Sequence, residues 1–105
     1  MTSIGQSVIK GQKHSIRLSK HLKQRMNERG ILVKDIIETI NSLNFLQLGE
    51  LKDLEKEIAI VDYNKNHTLI IAFKDNTLYA ITILRGTNNV IKDKTEIVEV
   101  GDKNE

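Results

Sequence analysis

The chain has no cysteine, no proline and no tryptophan. Without cysteine it can form neither a disulfide nor a thiolate metal site. Without proline, the ends of helices and strands must be read from caps and turns alone. Only four aromatic residues are present, Phe45, Tyr63, Phe73 and Tyr79. They are too few and too scattered for a base-stacking platform, so a nucleic acid would be held by its backbone more than by its bases. No apolar run approaches the roughly 20 residues that cross a bilayer, and residues 1–12 lack the apolar core of a signal peptide. A Gly-rich phosphate loop, a dinucleotide fingerprint and a serine in a nucleophile elbow are all missing. The three histidines, His14, His21 and His67, are not spaced as ligands for zinc or iron, and no acidic cluster points to a two-metal nuclease. The expectation is a protein with no metal, no cofactor and no membrane partner.

What remains is a chain of 105 residues, 39% hydrophobic and 29% charged, which is the balance of one folded domain. Residues 1–105 are read as that single domain, with 1–12 and 101–105 loose at the ends. The net charge of +2 hides an asymmetry. Residues 1–30 carry seven lysines and arginines against one acid, Glu28, while residues 31–105 carry nine against thirteen. A positive patch on an otherwise acidic molecule suits a polyanion on one face.

The patch is organised by the stretch from Ser19 to Gly30. Ser19 is a good helix N-cap, because its hydroxyl can accept from a free amide of the first turn. Gly30 suits the left-handed residue that follows a helix. Between them His21, Arg25 and Arg29 recur every four residues, and so do Leu18, Leu22 and Met26. Residues four apart stack on one face, so a basic stripe runs beside an apolar one.

A second amphipathic helix is expected over Leu32–Leu43, with Val33, Ile36, Ile37, Ile40 and Leu43 on its apolar side. Residues 44–50 read as a short strand or a cap on the core, and 51–56 as a turn or brief helical piece. Short strands are read at Val8–Ile9 and His14–Leu18. From Glu57 the period becomes two: strands at 58–61, 67–73 and 77–85 joined by short turns, then an edge strand at 95–100. The resulting fold class is α+β, with two N-terminal helices packed on one face of an antiparallel β-sheet of about four strands.

One chemistry needs none of the missing groups. RNA carries its own nucleophile, the 2′-hydroxyl, and cleavage needs a proton acceptor, a proton donor and cations on the phosphate. His21 is the candidate general base or acid. Arg25 and Arg29 would hold the phosphate with their planar forks. Thr82 interrupts the apolar run of the longest strand and would add a hydrogen bond. Arg85 ends that strand and, by alternation, faces the other side from Thr82, so Thr82 ranks above it. Lys20, Lys23, Arg17 and Arg85 are the candidates for RNA binding. His67 and Lys74 sit at strand ends and rank lower, and His14 is expected at the surface.

At these residues the chain resembles a known group. Residues 18–31, LSKHLKQRMNERGI, are similar to a recurring motif of small bacterial toxin-like proteins: a His, an Arg-Met four residues on, and an Arg-Gly-Ile four beyond. Asp35-Ile36-Ile37 and Ala80-Ile81-Thr82-Ile83 fill the later places, a second amphipathic helix and a Thr in an apolar late strand. The group resembles the barnase, colicin and RelE-like ribonuclease superfamily, which includes toxins of toxin–antitoxin pairs and contact-dependent inhibition toxin domains. Leu32 departs from the pattern, since a small capping residue is usual there. The resemblance implies a metal-independent endoribonuclease that cuts tRNA or mRNA by 2′-hydroxyl attack and is held in check by a cognate immunity or antitoxin protein. His21, Arg25, Arg29 and Thr82 match the group's active positions. It also implies action in the cytoplasm, with delivery as the C-terminal part of a secreted exoprotein as one route. The other readings of the same patch are a non-catalytic nucleic-acid-binding module and a domain that docks an acidic protein.

Overall fold

A computed structural model describes residues 3–102. The chain opens with strands, not helices. β1 (Ser3–Ile9) and β2 (Gln12–Leu18) form an antiparallel hairpin. Its two-residue turn is Lys10 and Gly11, both with positive φ, 54° and 79°. Such turns match the right-handed twist of the strands they join. The stretch expected to be loose before residue 12 is therefore an ordered strand from Ser3 onward. Residues 103–105 of the other expected loose end lie outside the described residues.

Three helices follow: α1 (Lys20–Arg29), α2 (Val33–Asn41) and α3 (Phe45–Asp53). Ser19 caps α1, accepting from the Leu22 amide at 2.9 Å. Gly30 ends it with φ 67°, in the left-handed region. At α2 the Leu32 side chain has no acceptor to offer. Only the return bond of a capping box is made there, from the Leu32 N–H to Asp35 Oδ2 at 3.0 Å. The third helix was not expected. Asn44 and Gln47 open it with a full reciprocal cap: Asn44 Oδ1 accepts from the Gln47 N–H at 2.8 Å, and Gln47 Oε1 accepts from the Asn44 N–H at 3.0 Å.

Then come β3 (Ile58–Asp62), β4 (His67–Lys74), β5 (Thr77–Arg85) and β6 (Glu96–Val100). The six strands form one mixed sheet in the order β1-β2-β5-β4-β3-β6. β3, β4 and β5 are an antiparallel meander, but β2 pairs parallel with β5 and β3 parallel with β6. The expected fold is thus corrected on three points: three helices instead of two, six strands instead of about four, and mixed instead of antiparallel pairing. The reason is non-local. A parallel pair needs a long crossover, so its strands carry no short turn between them to announce the pairing.

The core is one cluster. Leu22 and Met26 of α1, Ile36 and Ile40 of α2, and Leu48 and Leu51 of α3 meet Ile16, Leu18, Ile60, Leu69, Ile71, Leu78 and Ile83 of the sheet. Burying each such side chain contributes about 1.5–3 kcal/mol. Beside the core, strict alternation fails in β5. The register places Ile71 opposite Ala80 but Ile70 opposite Thr82, so Ile81 is an extra residue, a β-bulge. Ala80 and Ile83, three apart, consequently share the core face, with exposures of 0% and 1%.

Candidate functional site

The bulge decides what α1 can reach. Its Ile81 carbonyl accepts from Ser19 Oγ at 2.5 Å, and the Ala80 carbonyl accepts from the Ser19 N–H at 2.9 Å. The helix N-terminus is thereby tied to the middle of β5. Leu22 and Met26 hold the next two turns down. At the far end Arg29 Nη1 donates to the Ile83 carbonyl at 3.0 Å. Arg29 is therefore an oriented side chain, not a free one.

The expected site residues fall in three places. Arg29 and Arg85 come together on the borders of one cleft of about 260 Å³, between the end of α1, the β3–β4 turn and the ends of β4 and β5. Neither makes an ion pair among the described residues. His21 and Arg25 continue the stripe along α1 away from this cleft. His21 is exposed and makes no hydrogen bond among the described residues, and Arg25 meets Glu28 at a long 3.5 Å with both side chains about half exposed. Lys20 and Lys23 are exposed on the same helix. Thr82 lines a separate groove with Ile70, Leu84, Val90 and Ile91. Arg17 is half-buried in β2 between the core residues Ile16 and Leu18, with its Nε buried and unpartnered. By alternation both turn to the sheet face away from the helices. Thr82 and Arg85 lie on different grooves: Arg85, paired with His67 across β4 and β5, is the one that shares a cleft with Arg29.

The cleft also contains residues that sequence reasoning ranked low or passed over. His67 forms part of its wall and is buried, 6% exposed. Behind it stand Thr39 of α2 and Asp62 of β3, both buried. Thr39 Oγ1 donates to Asp62 Oδ2 at 2.7 Å and lies 2.8 Å from His67 Nε2. The other carboxylate oxygen, Asp62 Oδ1, accepts from the amides of Asn64 and Lys65 at 3.1 Å each. Lys65, on the cleft rim, meets Glu38 at 2.6 Å and Asp35 at 3.3 Å. Its bond to Glu38 raises its pKa, and the Leu32 amide lowers that of Asp35. A sequence signal existed for two of these residues. Thr39 falls on the apolar side of α2, three residues from Ile36, and Asp62 continues a wholly apolar strand. A polar residue in an apolar stripe marks a buried partner.

His14, expected at the surface, is fully buried. Its Nδ1 lies 3.0 Å from the Gln12 carbonyl and its Nε2 accepts from Lys52 Nζ at 2.6 Å. It ties the β1–β2 hairpin to α3 and stands apart from the cleft.

Burial pushes the His67 imidazole below its ordinary value of 6.5, more than the Asp62 carboxylate pulls it back up. The folded form thus binds fewer protons than the unfolded chain between the lowered value and 6.5. Stability contributed by the neutral ring is complete above about pH 6.5 and is lost as pH falls through that window. Urea midpoints should decline as the solution is acidified from about pH 7 to about pH 5.5. His67→Gln should flatten that decline; an unchanged slope would show that the ring does not titrate on folding.

Compared with protein-family models, curated proteins and solved structures, the chain matches none. Among the described residues no helix is long and apolar enough to cross a membrane.

Proposed function

We propose that the protein is a metal-independent endoribonuclease that grips RNA backbone across the cleft between α1 and the end of β5. The observation that supports this reading is the pair Arg29 and Arg85, two guanidiniums without carboxylate partners among the described residues, bordering one cleft with an imidazole in its wall. Guanidinium forks suit phosphate oxygens. His21 lies eight residues before Arg29, so their backbones are about 12 Å apart along the helix. With one phosphate held by Arg29 and Arg85, Lys20, His21, Lys23 and Arg25 form a track for the neighbouring phosphates. On this reading they bind and orient the strand. Thr82 and Arg17, on the far face, take no part in the cleft. The cytotoxic setting with a cognate inhibitor is carried by the sequence motif alone; such an inhibitor would have to cover the Arg29–Arg85 cleft.

The test is a single-stranded RNA oligonucleotide incubated in excess EDTA. Strands ending in 2′,3′-cyclic phosphate and 5′-hydroxyl are the expected products. Affinity should fall steeply with salt, and Arg29→Ala combined with Arg85→Ala should reduce the salt slope by about 1.4, or about 0.7 for each phosphate no longer neutralised. Salt-dependent binding without cleavage would leave a nucleic-acid-binding module. Binding indifferent to salt and to both arginines would remove the RNA reading altogether.

A further inference from the structure

We infer that His67 is the general base of this cleft, presented to the substrate by a buried relay through Thr39 to Asp62. The inference rests on the ribonuclease reading above and assigns a role that the His21 stripe does not supply.

The hydrogen-bond order carries it. Thr39 has one hydroxyl proton, and that proton goes to Asp62 Oδ2. Its oxygen can then only accept from His67 Nε2, 2.8 Å away. This sets the neutral ring as the Nε2–H tautomer and leaves the lone pair on Nδ1. Nδ1 has no hydrogen-bond partner among the described residues, yet it is not among the buried unpartnered atoms. It therefore keeps some accessible surface, and His67 is one of the residues that line the cleft. The Asp62 carboxylate is 4.0 Å from Nε2, too far for a direct bond, so it acts through the threonine hydroxyl. Two turn amides hold it in place from the other side.

The charged groups around the ring are Asp62 on β3, Lys65 in the turn, Asp35 on α2, Arg29 on α1 and Arg85 on β5. Burial keeps the ring neutral near pH 7, and Asp62 stands ready to stabilise the imidazolium once a proton arrives. A base needs both properties. In the reaction Nδ1 takes the 2′-hydroxyl proton while the 2′-oxygen bonds to phosphorus and the bond from phosphorus to O5′ breaks. O5′ takes a proton from water, and the resulting hydroxide takes the proton from the imidazolium. Arg29 and Arg85 hold the charge gathering on the non-bridging oxygens.

The experiment measures single-turnover cleavage of one RNA in EDTA across pH, with wild type, His67→Gln and Thr39→Val. Affinity is measured separately on the same strand with 2′-deoxyribose at the cut. His67→Gln should cleave at least about 100-fold more slowly while binding the deoxy strand as wild type does. Thr39→Val should move the acid limb of the rate profile to lower pH, an effect that a merely structural threonine would not have. In wild type that limb should coincide with the His67 titration seen by nitrogen-resolved NMR, with the free ring in the Nε2–H form. This last measurement decides the matter if His67→Gln folds poorly. Cleavage by His67→Gln at the wild-type rate, or a limb unrelated to the His67 titration, overturns the assignment and leaves the nuclease standing. Binding by wild type with no cleavage overturns both.

Discussion

Replacing Asp62 by alanine is expected to lower the unfolding free energy by about 3 kcal/mol or more, a large share of the total for a domain of this size. The carboxylate is buried and accepts from three donors: Thr39 Oγ1 and the amides of Asn64 and Lys65. Its removal takes the acceptor from both turn amides, frees the β3–β4 turn and leaves Thr39 only the His67 ring, in its other tautomer, to donate to. Each unsatisfied buried group costs about 1–3 kcal/mol. Urea unfolding of Asp62→Ala checks this, and a decrease under about 1 kcal/mol would show that water takes the place of the carboxylate. Combined with Thr39→Val, the two decreases should fall short of their sum by about 1 kcal/mol, because both remove the same bond. Full additivity would deny that Thr39 and Asp62 form one unit.

Leu22→Ala should cost about 2–5 kcal/mol. α1 buries only two side chains, Leu22 and Met26, and Leu22 is 0% exposed. The cavity left behind lies between the helix and β5, where Ser19 and Arg29 make their bonds to the Ile81 and Ile83 carbonyls. The matched control is Leu46→Ala. Leu46 is just as apolar but 80% exposed on α3, and its truncation should change stability by no more than about 0.5 kcal/mol. Equal effects at the two positions would mean that α1 is not seated as described.

Much of the local structure was legible because its causes are local. Ser19 and Gly30 bound α1 through bonds within a turn of themselves, and the stripe of Ile36 and Ile40 marks the buried side of α2. Even the misses of this kind had signals. Asn44 and Gln47 carry a reciprocal cap that opens α3, and Lys10 with Gly11 supplies the two left-handed residues of a hairpin turn, though lysine is not the residue usually met there. The site was less legible. His21 stands out by its spacing, but spacing on a helix says nothing about what the sheet presents opposite it. One inserted residue, Ile81, turns Thr82 away from the helices and leaves Arg85 on the face of Arg29. A strand read by alternation alone cannot reveal such a slip.

By itself the sequence determined the chemistry on offer and the short-range elements: a chain without thiols, a basic first third, two capped or amphipathic helices and a three-stranded meander. Those follow from interactions a few residues apart. Only the tertiary structure decided the parallel pairings of β2 with β5 and β3 with β6, and the meeting of Arg29, Arg85 and His67 on one cleft. It alone set His67 against Thr39 and Asp62. Residues 28 positions apart in the chain become hydrogen-bond partners only when the core has packed α2 onto the sheet, and no periodicity in either segment encodes that distance.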